Sequence, residues 1–189
     1  MTELIFYHGT SESNAKKIMK EGFKLNTKKN WKVASKKGFV YFSTAYGPFY
    51  AMNAGKEKLA LIKVSVDTKN LYPEDDFLMR MLSKPVYTQE ELDNTDFEIY
   101  KRMWDASIAF MGNACAKPQD IKILGVGYFN GKHLIMKCDP VISPINYKIM
   151  GEYYRDMSQW LFEGKDIMKF RGLFDEMQDE LKMRVKNDN

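Results

Sequence analysis

Leu4-Ile5-Phe6-Tyr7-His8-Gly9-Thr10 is the stretch from which the rest of the chain can be read. Four apolar, β-prone residues predict a first strand, with His8 at its end, followed by a glycine and a hydroxyl. Thr10, Ser11, Ser13 and Asn14 then offer several helix caps. Ala15, Ile18 and Met19 form an apolar stripe that stops at Gly22, so a short helix follows directly. A histidine carried between a strand and a helix start is well placed to face a pocket, and the later segments are read for what they add to it.

Phe23 and Leu25 predict a brief second strand. Gly38-Phe39-Val40-Tyr41-Phe42-Ser43 reads as a convincing one, with Tyr41 and Ser43 on a shared face. Thr44, Tyr46, Gly47 and Pro48 mark a turn into a helix from Phe49 to Ala54, and Leu59 to Val66 reads as a long strand. Residues 73 to 96 change character, with Glu74-Asp75-Asp76 and Thr88-Gln89-Glu90-Glu91 around few apolar residues, and predict an insertion of short helices without obvious chemistry. Phe97, Tyr100, Met103, Trp104, Ile108 and Met111 recur at helical spacing, predicting an amphipathic core helix up to about Gly112. Residues 113 to 118 read as a connection, and Ile121 to Phe129 as a strand. Asn130-Gly131 then predicts a hairpin whose returning strand is His133 to Lys137. From Tyr147 onward the spacing predicts two helices broken near Gly164 or Gly172.

The chain has 189 residues, 44% of them hydrophobic and 14% aromatic, enough for one substantial core with an appendage. The boundaries read as one domain over 1–143, with the insertion at about 73–112, and a helical extension over 144–189. No apolar run suits a membrane span, and Met1-Thr2-Glu3 does not open a signal peptide, which predicts a soluble cytoplasmic protein. Cys115 and Cys138, with His8 and His133, lack a metal-ligand spacing, so no metal site is expected and both thiols read as small buried apolar groups. The net charge of +4 is unevenly placed. Residues 16 to 37 hold nine lysines against one acid, Glu21. Such a block suits a phosphate-bearing partner or a solvated face.

The order of strand, His-Gly-Thr, helix, and a Gly-x-x-Tyr-Phe strand leading into a tyrosine-bearing helix resembles the ADP-ribosyltransferase superfamily. The resemblance is to its histidine-and-tyrosine branch, which includes poly(ADP-ribose) polymerases, related bacterial toxins and phage enzymes. It covers residues 4 to 66 well and 112 to 138 weakly. It implies an α+β fold of two packed antiparallel sheets with flanking helices, and NAD as co-substrate. His8 would bond a ribose hydroxyl, the Gly9 backbone would pair with the nicotinamide amide, and Thr10 would assist. Tyr41 would line the nicotinamide pocket, Ser43 would contact the carboxamide, and Tyr46 or, preferably, Tyr50 would stack on the ring.

The family places a glutamate before a short segment ending in Pro-x-x-Ile. Here Pro118-Gln119-Asp120-Ile121 is preceded by Asn113, so the third catalytic position falls to an amide, with Asp105 or Asp120 as alternative acids. The expected activity is NAD-dependent mono-ADP-ribosylation of a protein or nucleic-acid acceptor. The alternative is a weak or inactive nucleotide-binding module acting as an interaction protein. A resemblance to NAD-consuming RNA 2′-phosphotransferases ranks lower, because their arginine and histidine set cannot be placed here.

Overall fold

The computed structural model describes residues 2–24, 34–54, 58–84, 86–131, 144–172, 176 and 179. It is an α+β structure whose six described strands form one antiparallel sheet in the order β4-β5-β2-β1-β3-β6. At the centre lies β1 (Glu3–Ser11), paired along its whole length with β3 (Lys58–Asp67), from Glu3 opposite Asp67 to Ser11 opposite Leu59. β6 (Ile121–Asn130) flanks β3. On the other side stand β2 (Val40–Ser43), β5 (Asn113–Ala116) and β4 (Tyr72–Pro73). The expected pair of packed sheets is replaced by one hydrogen-bonded sheet. Its halves are nonetheless thinly joined, because β1 meets β2 in a single register pair, Tyr7 opposite Ser43.

Side-chain alternation divides the core between two faces. Phe6, Phe42, Ala60, Ile62, Val64 and Ala114 share one face, covered by α1 (Glu12–Glu21) through Ala15 and Ile18 and by α5 (Trp104–Met111) through Trp104 and Ile108. Leu59, Leu61 and Phe129 share the other, beneath α2 (Gly47–Ala54) and α6 (Pro144–Phe162). At the β4–β5 end of that second face, Tyr72 and Cys115 are capped by Leu78 and Met79 of α3 (Asp75–Met81) and by Leu92 of α4 (Gln89–Asn94). Each fully buried Leu, Ile or Phe contributes about 2 kcal/mol. No described helix is long and apolar enough to cross a membrane.

Four sequence expectations change. β1 runs on through Ser11, so His8 lies inside the strand; Gly9, Thr10 and Ser11 all find partners on β3 and the strand does not end where its apolar run does. Ser11 caps α1, its hydroxyl accepting from the Asn14 amide. Residues 113–116 form a strand instead of a connection, since Asn-Ala-Cys-Ala is too short and too small to alternate visibly. The expected helix over 97–112 is confined to α5 after a 3-10 turn at Lys101–Met103, because Phe97 and Tyr100 pack with the Tyr72 cluster instead. Residues 22–24 carry no strand, and Leu25, Cys138 and the returning strand at 133–137 lie outside the described residues. α6 stops at Phe162, two residues before Gly164, whose φ of 74° a side chain would disfavour.

The sheet and α2 approach most closely at Gly9. A Cβ there would overlap the carbonyl oxygen of Gly47 and the amide nitrogen of Ala51, and a Cβ on Gly47 would lie 2.7 Å from that of Tyr7. Glycine at position 9 is therefore required by backbone packing. Gly9→Ala is expected to lower unfolding stability by about 3 kcal/mol in urea denaturation, near the upper end for overpacked sites.

Candidate functional site

His8 stands at the narrow junction between the two halves of the sheet. Its Nδ1 lies 2.8 Å from the carbonyl oxygen of Tyr41, and since a carbonyl can only accept, Nδ1 carries the proton. Nε2 is left as an acceptor. Burial pushes the His8 pKa below its ordinary value, against the opposing pull of that hydrogen bond, so the ring is neutral at physiological pH. Phe23 meets it edge to face with centroids 5.2 Å apart. The imidazole thus replaces, with one side-chain bond, the ladder contacts that β1 and β2 do not make beyond Tyr7.

Across the junction a polar knot joins β2, β5 and α2. Gly112, left-handed at φ 71°, ends α5 and presents its carbonyl to three donors: the Thr44 amide at 2.7 Å, Ser43 Oγ at 3.1 Å and Thr44 Oγ1 at 3.2 Å. Ser43 Oγ also accepts from the amides of Ala45 and Tyr46, so its one donor and two lone pairs are all engaged in turning the chain into α2. Asn113, opposite Ser43 in the ladder and only 2% exposed, donates from Nδ2 to the Tyr50 hydroxyl at 2.6 Å. Its Oδ1 has no hydrogen-bond partner. An unmatched buried acceptor costs about 1–3 kcal/mol.

Tyr41 lies two residues before Ser43 on the same face, and faces the insertion. Its hydroxyl accepts from the Lys36 amide at 2.8 Å and pairs with Asp75. This acidic segment, read from sequence as chemically silent, contributes the most perturbed carboxyls found here. Burial, with the neighbouring Asp76 charge, raises Asp75 to about 6, while the Tyr41 and Tyr87 hydroxyls oppose the rise. Burial and the same neighbours push Glu74 well above the usual carboxylate range. Ser107 ties this segment to the knot, accepting from the Glu74 amide at 3.0 Å and donating to the Asn113 carbonyl at 2.9 Å. Ligand atoms of Glu74, Asp75 and Asp76 fall within 4.8 Å of one another, the nearest approach to a metal-binding arrangement among the described residues. Tyr87 donates to both Asp75 and Asp76, and Glu74 caps α3 through the Phe77 amide. The three acids thus already serve protein donors. The sequence signal for them was the Glu-Asp-Asp run directly after an apolar Leu-Tyr-Pro.

The remaining predicted residues divide by face. His8 and Thr10 alternate with Tyr7 and Gly9 and share the Phe6 face, away from Ser43 and Asn113; Thr10 is buried there opposite Ala60. Tyr46 is buried under α6, beside Gly151 and Tyr154, and its ring belongs to the helix–helix core. Asp105 is exposed on α5, which covers the opposite face from the Asn113 side chain, and bonds only its neighbour's amide among the contacts found. Asp120 closes a 3-10 turn beyond β5. Neither acid is brought to Asn113. In the basic segment, Lys16 and Lys24 pair with Glu12 and Glu21, and Lys37 pairs with Asp93. Lys36 donates to the carbonyls of Leu92, Asp93 and Thr95 at the end of α4. Lys17 and Lys20 are exposed, and residues 28, 29 and 32 lie outside the described residues.

Asp75 yields a pH prediction. Its folded pKa of about 6 exceeds the unfolded 3.8, so the folded state binds the proton more tightly. The contribution is most favourable below the unfolded value, declines as pH rises between the two, and amounts to a cost of roughly 3 kcal/mol above them. Asp75→Asn keeps an acceptor for both tyrosines and removes that cost. Denaturation at about pH 8 is expected to find the variant more stable by about 2 kcal/mol, with the difference vanishing near the unfolded pKa. No protein-family model matches the chain, and no curated protein or solved structure shows significant similarity to it.

Proposed function

We propose that the chain binds NAD where β1 and β2 part, and transfers its ADP-ribose to a macromolecular acceptor, protein or nucleic acid. The observation that carries this reading is the meeting of Asn113 and Tyr50 beside Ser43 at the point where the β1–β2 ladder stops, with the His8 ring reaching the Tyr41 backbone across the same seam from the other face. Beyond Tyr7 the β2-facing backbone of β1 has no ladder partner, which suits pairing with a carboxamide at Gly9. The neutral His8 ring offers Nε2 to a ribose hydroxyl. The half-buried ring of Tyr50 offers a face to the pyridinium, where area burial and cation–π attraction act together. Tyr41 acts from behind, its carbonyl fixing His8 and its hydroxyl fixing the insertion.

In the reaction, the bond between nicotinamide nitrogen and ribose carbon breaks with its electron pair moving to nitrogen, releasing neutral nicotinamide. An acceptor oxygen or nitrogen then bonds to the ribose carbon and loses its proton. The electron-poor sugar centre needs nearby negative charge or oriented dipoles. Position 113 supplies a dipole only. That feature supports a second reading, a binding module that holds NAD with slow or absent turnover.

Nicotinamide release by purified protein separates the two readings when measured beside calorimetric NAD binding. His8→Ala is expected to weaken NAD binding about tenfold or more, since it removes both the Nε2 acceptor and the bridge to Tyr41. Absence of NAD binding, or binding indifferent to His8→Ala, would overturn the proposal. Binding without release favours the module.

A further inference from the structure

The lysine block of residues 16–37 is a strong feature of the sequence that the core and the seam leave largely unused. Nine of the chain's 29 lysines and arginines and one of its 25 acids fall there, so this segment carries eight excess positive charges and the rest of the chain four excess negative ones. Its beginning is α1, which turns Ala15 and Ile18 into the core and leaves Lys16, Lys17 and Lys20 exposed. α1 packs across β3 and β6 as well as β1. Tyr128 of β6 stands opposite Ala60, on the face that α1 covers, and is 43% exposed. Lys16 lies within electrostatic reach of its hydroxyl. Lys58, two residues before Ala60 and so on the same face, is exposed and within reach of Glu12. Of the two acids on α1, Glu12 is engaged by Lys16 and Glu21 by Lys24. The charges of Lys17, Lys20 and Lys58 are therefore left without an ion pair among the described residues.

We propose that this surface binds single-stranded nucleic acid, the lysines holding successive phosphates while a base stacks on the ring of Tyr128. Lys16 and Lys20 stand about one helical turn apart, a rise of about 6 Å, close to the separation of neighbouring phosphates in an extended strand. The Lys16–Glu12 pair is exposed, and weak pairs of this kind yield readily to a polyanion. An exposed ring amid cations suits a nucleotide, whose base offers a flat face beside its phosphate, better than an acidic peptide, which offers charge alone. A lipid surface fits less well, since the apolar stripe of α1 is already spent on the core. A duplex would meet the lysines but keep its base faces stacked inside, leaving the ring idle. The inference does not rest on the NAD reading: strand binding and NAD binding are measured separately, and either can fail without the other.

The test is fluorescence anisotropy of the full-length protein with a labelled oligothymidylate, competed by unlabelled oligothymidylate, by inorganic polyphosphate and by polyglutamate at equal charge concentration. Three or four phosphate contacts are expected to give a slope of about −2 to −3 when the logarithm of the affinity is plotted against that of salt concentration. The two base-free polyanions are expected to compete about tenfold less well than the oligonucleotide. Lys17→Gln combined with Lys20→Gln is expected to flatten the slope by about 1.4. Tyr128→Ala is expected to weaken oligothymidylate binding about tenfold at an unchanged slope. Absence of binding, or a slope indifferent to the lysine substitutions, would overturn the proposal. So would equal competition by polyphosphate, which marks a plain polyanion surface, or by polyglutamate, which marks an acidic protein as the partner. The competition with unsubstituted protein decides between base and charge even if Tyr128→Ala disturbs β6.

Discussion

One ladder pair and one imidazole join the two halves of the sheet. Tyr7 opposite Ser43 is the whole of the β1–β2 pairing, and the His8–Tyr41 hydrogen bond is the next tie along the same seam. A central strand normally shares a full ladder with both neighbours, as β1 does with β3. The departure on the β2 side has a local cause. Ser43 and Thr44 turn toward the Gly112 carbonyl and into α2, while the Gly9–Gly47 approach pulls the start of α2 onto β1. The chain therefore leaves the sheet just past Ser43, where β2 would otherwise have continued beside Phe6. At the seam the side chains of Ser43, Asn113 and Tyr50 meet on one face, and His8 stands on the other.

The seam also explains why polar groups are tolerated there. Ser43, Ser107 and Asn113 are buried, yet the first two have every bond they need from neighbouring backbone. Asn113 alone does not. With a typical penalty of about 1–3 kcal/mol against a net stability of about 5–15 kcal/mol for a whole domain, such a defect is large enough to matter. An apolar residue in its place would remove the penalty, while also releasing the Tyr50 hydroxyl from its partner.

Much of the architecture was legible in the primary structure, and the illegible parts have identifiable physics. Long apolar runs announced β1, β3 and β6, and Gly22 and Gly164 marked helix ends, because period and backbone freedom are local properties. β5 was hidden because four small residues buried on both faces carry no alternation. The β1 boundary was misplaced because pairing with β3, a non-local event, continues the strand through Gly9 and Thr10. At the site, the neighbourhood of Tyr50 and Asn113 depends on a contact between residues 63 positions apart, which no spacing rule reveals. Glycine at position 9 could be singled out from sequence, though its packing against α2 could not.

The acidic insertion and the amide at position 113 are best understood together. Glu74 follows β4 directly, and its amide reaches Asn113 through the Ser107 hydroxyl. Asp75 reaches Tyr41 from the same short stretch. The seam is thus backed by two desolvated carboxyls, Glu74 raised by burial and by the Asp75 and Asp76 charges, and Asp75 raised by burial and by Asp76. A carboxylate at position 113 would enter the same network, and mutual repulsion would push all three groups further toward their protonated forms. A charge placed there would be costly to keep, whereas the amide retains directional hydrogen bonding without it. The seam thus holds directional hydrogen-bonding groups, Tyr50 and Asn113 on one face and His8 on the other, without a fixed negative charge at position 113.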